Sequence, residues 1–195
     1  MLKEIEMYAK ENRVPIMLPD GIDYLCNYIK KHNIKRILEI GSAIGYSAIR
    51  MALVDNDIYI TTIEKDIDRY NVAIDNINKF NLNDRINIIL DDALNTIIDD
   101  KYDLLFIDAS KGNNINFFEK YKHNLNDNGI IITDNLLFHG LVKDESLIKT
   151  RNQRGIVKKI INFINFLNDN IEFDTEYIDV GDGISISKKK DDKVN

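Results

Sequence analysis

The chain has 195 residues, of which 44% are hydrophobic and 30% are charged, and its formal net charge is −6. This composition is ordinary for a globular protein that can bury a sizeable core. No apolar run approaches the roughly 20 residues that a membrane-spanning helix needs. The net negative charge argues against a protein that binds nucleic acids without regard to their base sequence.

The organisation of the chain indicates a single domain. We find no internal repeat, low-complexity linker or break in composition, so we expect one domain over residues 1–195, with N-terminal helices in residues 1–33 packing on it. The N-terminus lacks the apolar stretch of a signal peptide, and the lone Cys26 cannot form an intrachain disulfide. These two features favour a cytoplasmic protein.

Two helices are predicted at the start of the chain, over residues 2–12 and 20–32. Pro15 and Pro19 lie between them and separate the two segments. In the second segment the apolar residues recur three and four positions apart, which is typical of a helix with one buried face.

An alternation of strands and helices follows. Short β-branched runs separated by helical patterns indicate a mostly parallel sheet with helices on both faces. The last two strands flank Gly181-Asp182-Gly183, which is typical of a hairpin. The sequence therefore predicts a Rossmann-like α/β fold with a seven-stranded sheet and an antiparallel C-terminal hairpin. In chain order, strands are predicted at 36–40, 57–63, 86–90, 102–107, 129–133, 172–179 and 184–188, and helices at 46–53, 66–80 and 147–168.

The turn after the first strand is the sharpest local signal. Gly41 and Gly45 enclose Ala43, so the backbone can turn tightly and approach a ligand, and the next helix offers free N–H groups. The spacing matches neither the G-x-G-x-x-G dinucleotide fingerprint nor a Walker phosphate loop. For an amino-acid ligand such as the methionine end of S-adenosylmethionine, these N–H groups and Ser47 can hold the carboxylate. The alternative is an ordinary strand–turn–helix connection.

Carboxylates end three successive predicted strands. Glu39 closes the first strand, Glu64 the second, and Asp91-Asp92-Ala93 the third. Glu64 is placed to accept hydrogen bonds from both ribose hydroxyls, and Asp92 from an adenine amino group. Each carboxylate alone could cap the following helix. Three in succession, at the carboxyl edge of one sheet, predict a ligand crevice.

Two further strand ends offer oxygen ligands for a metal. Asp108 follows the fourth predicted strand, and Asp134 and Asn135 follow the fifth. All-oxygen coordination suits Mg²⁺, Mn²⁺ or Ca²⁺ rather than zinc, and three protein ligands leave positions for water and substrate. Asp134-Asn135 alone is also a common turn after a strand.

These motifs resemble the metal-dependent O-methyltransferases of the catechol and caffeoyl-CoA type, which have the class I methyltransferase fold. The resemblance implies that the cofactor is S-adenosylmethionine and that Asp108, Asp134 and Asn135 bind a divalent cation. It also implies a catalytic site at Asp108 and Lys111. Lys111 would lie near the nucleophilic oxygen and act as a base or as an electrostatic stabiliser. The resemblance further suggests a homodimer. The implied cofactor contacts are Glu39, Gly41, Ser47, Glu64, Asp92, Ala93 and Asp108.

Within that family the chain resembles bacterial enzymes that methylate 5-hydroxyuridine at the tRNA wobble position, over residues 36–52, 133–142 and 180–184. That base carries adjacent oxygens that can chelate a metal as a catechol does. The resemblance implies that the tRNA anticodon loop is a partner. Candidate phosphate contacts are Lys143, Arg151 and Arg154, which belong to a basic segment over residues 143–159. The main alternative is a small catechol or hydroxycinnamoyl acceptor, in which case the basic segment is solvated surface.

Overall fold

The computed structural model of the protein describes residues 1–109 and 112–190. Two 3₁₀ turns, Lys122–Asn124 and Glu145–Leu147, supplement the regular elements. In chain order the regular elements are α1 (Leu2–Glu11), α2 (Pro19–Lys31), β1 (Arg36–Ile40), α3 (Tyr46–Ala52), β2 (Tyr59–Glu64), α4 (Ile67–Lys79), β3 (Ile86–Leu90), β4 (Tyr102–Ile107), α5 (Asn114–Tyr121), β5 (Leu125–Thr133), α6 (Arg151–Asn168), β6 (Phe173–Ile178) and β7 (Ile184–Lys189).

The seven strands form one sheet in the order β3-β2-β1-β4-β5-β7-β6. The pairs among β1 to β5 are parallel, whereas β7 is antiparallel to both β5 and β6. The predicted Rossmann-like fold with an antiparallel C-terminal hairpin is therefore confirmed. The strand order reverses between β1 and β4, and in open α/β sheets ligands bind at the carboxyl ends of the strands at such a point.

Alternate residues of the strands build a separate core on each face of the sheet. Leu104 and Phe106 of β4 face the core to which α1 to α4 contribute, while Leu105 and Ile107 face the core of α5 and α6. This alternation follows from the two-residue period of a strand, because successive side chains point to opposite faces. Both faces are covered, which explains why β4 is almost uniformly apolar and buried.

Helix α5 was not predicted from the sequence. Its eight residues begin with Asn114-Ile115-Asn116, and asparagine is a poor helix former, so no clear helical period is visible. The helix is stabilised by burial of Phe117, Phe118 and Tyr121 against the sheet, an effect of tertiary packing that outweighs local propensity.

The predicted boundaries of α6 and β5 also needed correction. The helix predicted from residue 147 begins at Arg151, because Thr150 caps it: the Thr150 hydroxyl accepts the Gln153 N–H, and the Gln153 side chain accepts the Thr150 N–H. The strand predicted from residue 129 begins at Leu125, with an irregularity in its pairing to β4 between Tyr102 and Leu104. Of the helices in the described part of the chain, none is long and apolar enough to cross a membrane.

Candidate functional site

The turn between β1 and α3 is held close to the end of β4. Gly41 has a φ of 101°, and a β-carbon there would lie 2.5 Å from the carbonyl oxygen of Asp108. Ala43 and Gly45 are also left-handed, with φ values of 45° and 80°. Glycine is therefore required at position 41 both by the backbone conformation and by the close approach of the neighbouring strand.

Glu64 connects this turn to the end of β2. One carboxylate oxygen accepts the N–H of Ala43 at 2.7 Å, and the other accepts the N–H groups of Lys65 and Asp66 at 3.0 and 2.9 Å. Glu64 is buried within the protein but lines a cavity at the carboxyl edge of the sheet. Backbone hydrogen bonds fix its orientation, and a carboxylate has lone pairs left for hydroxyl donors.

That cavity, which we call the cofactor cavity, collects most of the residues predicted to contact the cofactor. Its wall includes the ends of β1, β2, β3 and β4 and a short segment before α2. The predicted residues that line it are Gly41, Glu64, Asp92, Ala93, Asp108 and Asn135.

Glu39 and Ser47, by contrast, do not line the cofactor cavity but lie behind its wall. The Ser47 hydroxyl donates to one carboxylate oxygen of Glu39, and the Thr62 hydroxyl donates to the other, both at 2.5 Å. Glu39 is completely buried, and desolvation raises its pKa to about 7 despite these two donors. That Glu39 and Ser47 contact the cofactor directly stays a prediction. In the structure their side chains are hydrogen-bonded to each other behind the cavity wall.

The segment after β3 is held in place by α5, which sequence reasoning missed. Asp92 accepts the N–H of Leu94 at 2.9 Å and so closes a turn that exposes Ala93 to the cavity. The Tyr121 hydroxyl donates to the carbonyl of Ala93 at 2.6 Å, and the Lys120 ammonium donates to the carbonyls of Ala93 and Leu94 at 3.0 and 2.7 Å. No sequence signal pointed to these two residues, because they belong to the unpredicted helix and contact residues more than 25 positions away.

The three residues predicted to bind a metal lie together. Asn135, in a left-handed conformation with φ of 69°, donates its side-chain N–H₂ to Asp108 at 3.0 Å and to Asp134 at 2.7 Å. Two carboxylates and an amide thus meet at the ends of β4 and β5. Among residues 1–109 and 112–190 no group of three or more His, Cys, Asp or Glu side chains could hold a metal, so the candidate set depends on the amide. An asparagine amide can present either its N–H₂ or its oxygen, and the resulting all-oxygen set fits Mg²⁺, Mn²⁺ or Ca²⁺.

A second cavity of about 440 Å³ opens on the other side of these residues. Asp134 and Asn135 line it, and Pro15, Ile16 and Asn135 are shared with the cofactor cavity. The two cavities therefore meet at the candidate metal ligands. The remaining apolar part of the wall of the second cavity is formed by Ala9, Val14, Leu18 and Phe138.

The second cavity also has polar residues that sequence reasoning largely missed. Lys10 comes from the last turn of α1 and Arg13 from the segment just after it, while His139 and Asp182 come from the loops after β5 and before β7. The signal that could have pointed to Lys10 and Arg13 is their position just before Pro15, which ends the first helical segment.

Of the remaining predicted residues, Lys111 falls outside the described residues, and the other three line neither cavity. Arg151 and Arg154 are exposed on the first turn of α6, and Lys143 forms an exposed salt bridge to Asp179 at 2.7 Å. Helix α6 passes beside the segment after β4, since a β-carbon at Gly112 would lie 3.0 Å from the ammonium of Lys159.

Comparisons with known proteins agree with this architecture. A family model described as "O-methyltransferase" matches residues 1–190. Caffeoyl-CoA O-methyltransferase of Stellaria longipes is 32% identical over 96% of this chain and 83% of its own length, and the enzyme of the same name from Populus kitakamiensis is 31% identical over 85% and 74%.

Solved structures give the same result. The crystal structure of a "putative caffeoyl-CoA O-methyltransferase" from Staphylococcus aureus has a TM-score of 0.92 and 35% identity, with 97% of this chain and 92% of that chain covered. An O-methyltransferase from Bacillus cereus, solved in complex with SAH, shares the fold with a TM-score of 0.81 at 24% identity. The similarity thus extends over nearly the whole chain.

Proposed function

This chain belongs to the O-methyltransferase family, and from that membership we propose that it transfers the methyl group of S-adenosylmethionine to a hydroxyl oxygen of a small aromatic acceptor with two adjacent hydroxyls. One observation carries the proposal. The cofactor cavity and the second cavity meet at Asn135, beside Asp108 and Asp134, so a donor in one and an acceptor in the other would face each other there.

The cofactor cavity has the groups that such a donor requires. Glu64 is fixed by three backbone N–H groups and can accept from ribose hydroxyls. Asp92 and Ala93 would lie along the adenine, and the turn from Gly41 to Gly45 would hold the methionine end. Ser47 and Glu39 are proposed to act there through the same turn. A fixed in-line arrangement of methyl group and nucleophile can supply much of the rate enhancement.

A divalent cation at the junction of the two cavities is the second part of the proposal. We propose that Asp108, Asp134 and Asn135 hold a divalent cation such as Mg²⁺, whose chemistry when bound is to lower the pKa of a coordinated hydroxyl. Asp108 and Asp134 supply the negative charge for it. Lys111, in the segment directly after Asp108, is proposed to take the hydroxyl proton or to stabilise the developing negative charge.

The acceptor is proposed to be a small molecule because of the relatives and the cavity. The curated relatives named above are caffeoyl-CoA O-methyltransferases, and a cavity of about 440 Å³ is in the usual range for a small-molecule site. This alternative from the sequence analysis is now better supported than the tRNA wobble base.

A tRNA acceptor remains the second candidate. Arg151 and Arg154 are exposed three residues apart on α6 and form no salt bridge within the part of the chain that the structure describes. Such a pair can contact successive phosphates. Lys143 supports this candidate less, because it is paired with Asp179.

The experiment is a methyl-transfer assay with purified protein, S-adenosylmethionine and Mg²⁺. Caffeoyl-CoA, a simple catechol and tRNA containing 5-hydroxyuridine are supplied in parallel, each with and without chelator, and products are identified by mass spectrometry. We expect a methylated catechol or caffeoyl ester that disappears with chelator. Formation of 5-methoxyuridine with untouched catechols would instead establish the tRNA candidate, and the absence of every methylated product would overturn the proposal.

A further inference from the structure

The second cavity carries two cationic side chains, Lys10 and Arg13. Lys10 lies in the last turn of α1, and Arg13 follows two residues after the helix ends; both are exposed and line the cavity. Within residues 1–109 and 112–190 neither is part of a salt bridge. The left-handed backbone at Arg13, with φ of 54°, turns the chain towards Pro15 and keeps both side chains at the same opening.

Asp182, one of the two acids in the wall of this cavity, contacts His139. Asp182 is buried, and one of its oxygens accepts the backbone N–H of His139 at 2.5 Å. Its other oxygen lies 3.9 Å from the His139 ring nitrogen Nδ1. Asp182 therefore stabilises the loop after β5 and forms no salt bridge with Lys10 or Arg13.

The inner end of the cavity has a different chemistry. There Asp134 and Asn135 provide oxygen atoms at the junction with the cofactor cavity, and Ile16 and Phe138 form apolar wall. A ligand that fills the cavity would thus have hydroxyls at one end, an apolar ring in the middle and a negative charge at the other end.

We propose that the acceptor bears an anionic oxygen group, a carboxylate or a phosphate, that Lys10 and Arg13 bind while its adjacent hydroxyls face Asp134 and Asn135. This inference rests on the proposed function and specifies its acceptor. Arginine donates paired hydrogen bonds to such groups, and a charged hydrogen bond contributes more than a neutral one. The cationic opening also attracts anions before they bind.

The test compares charged and neutral acceptors in Lys10→Met, Arg13→Gln and the double variant. The acceptors are caffeate, caffeoyl-CoA and the uncharged caffeyl alcohol, at saturating S-adenosylmethionine. We expect kcat/KM for the anionic acceptor to fall about tenfold in each single variant and further in the double variant, while kcat/KM for caffeyl alcohol changes less than twofold. Lys30→Met and Lys31→Met, two exposed cations at the end of α2, are matched controls that leave both values unchanged.

The outcomes separate the two sources of the charge. A loss with caffeate assigns the contact to a carboxylate, and a loss confined to caffeoyl-CoA assigns it to phosphate. Equal losses with caffeyl alcohol, or no loss with either anion, would overturn the inference. If no acceptor is methylated, the proposed function fails, and equilibrium binding of caffeate to the wild type and the double variant by calorimetry still tests the contact with the anion.

Discussion

The α-carbon of Gly41 lies against the backbone carbonyl of Asp108, so closely that a β-carbon at Gly41 would be 2.5 Å from that oxygen. This contact joins the turn that follows β1 to the end of β4, which carries the first candidate metal ligand. The position of Asp108 in the wall of the cofactor cavity is therefore set by backbone packing.

Replacing Gly41 by alanine should separate these two segments. We expect Gly41→Ala to lower the free energy of unfolding by about 2–4 kcal/mol, because alanine is strained at a φ of 101° and its β-carbon overlaps the Asp108 carbonyl. Urea unfolding measures the loss. Gly155→Ala in α6 is the control: among the described residues, no atom beyond its chain neighbours and the backbone of the helix itself lies within 4 Å of the added carbon, so the change should stabilise the helix by up to about 1 kcal/mol. A Gly41→Ala protein as stable as the wild type would contradict the packing argument.

Glu39 should make stability depend on pH. Its pKa is raised by burial to about 7 in the folded protein, from an ordinary value of 4.5. Below pH 4.5 Glu39 is protonated in both the folded and the unfolded protein, and the stability that its raised pKa contributes is fully present. Between pH 4.5 and about 7 Glu39 ionises in the unfolded chain but stays protonated in the folded protein, so this contribution to the free energy of unfolding is lost as the pH rises.

Glu39→Gln removes this titration. Compared with the variant, the wild type should therefore lose on the order of 3 kcal/mol across that window, measured by urea unfolding at several pH values from 4.5 to 8. The exposed Glu11→Gln is the control for loss of charge. A constant difference between wild type and Glu39→Gln at all pH values would show that Glu39 titrates normally.

Asp134 should be needed for any dependence on a divalent cation. Asp134→Ala removes one of two carboxylates at the junction of the cavities, so we expect methyl transfer in Mg²⁺ to fall at least about 100-fold. Binding of Mn²⁺, followed by electron paramagnetic resonance, should fall as well. Asp127→Ala, an exposed aspartate of β5, should behave like the wild type. Full wild-type activity in chelator would remove the metal from the proposal.

Tyr121 should affect the binding of the cofactor but not the rate of methyl transfer to the acceptor. Tyr121→Phe deletes the hydrogen bond to the Ala93 carbonyl, which loosens the segment proposed to face the adenine. We expect the Kd for S-adenosylmethionine to rise about fivefold to tenfold, with kcat at saturating cofactor unchanged. Calorimetry measures the first and the methyl-transfer assay the second. Tyr59→Phe alters an exposed tyrosine and should change neither; an unchanged Kd in Tyr121→Phe would show that this contact serves stability alone.

The sequence alone determined where most of the strands lie along the chain and which polar residues follow them. Strands such as 36–40 and 102–107 are visible because buried parallel strands are short segments made mostly of apolar residues. The ends of parallel strands share one edge of a sheet, so Glu64, Asp108 and Asp134 could be predicted to lie together without a structure.

Only the tertiary structure decided what each of these residues contacts. Glu39 lies behind the cavity wall, where its carboxylate accepts hydrogen bonds from Ser47 and Thr62. The segment after β3 is held in position by Tyr121, which belongs to a helix that local propensity did not reveal. Likewise, Lys10 and Asn135 share a cavity although they are far apart in the chain. Periodicity reports only which face of an element is buried, whereas these contacts arise from the packing of elements distant in sequence.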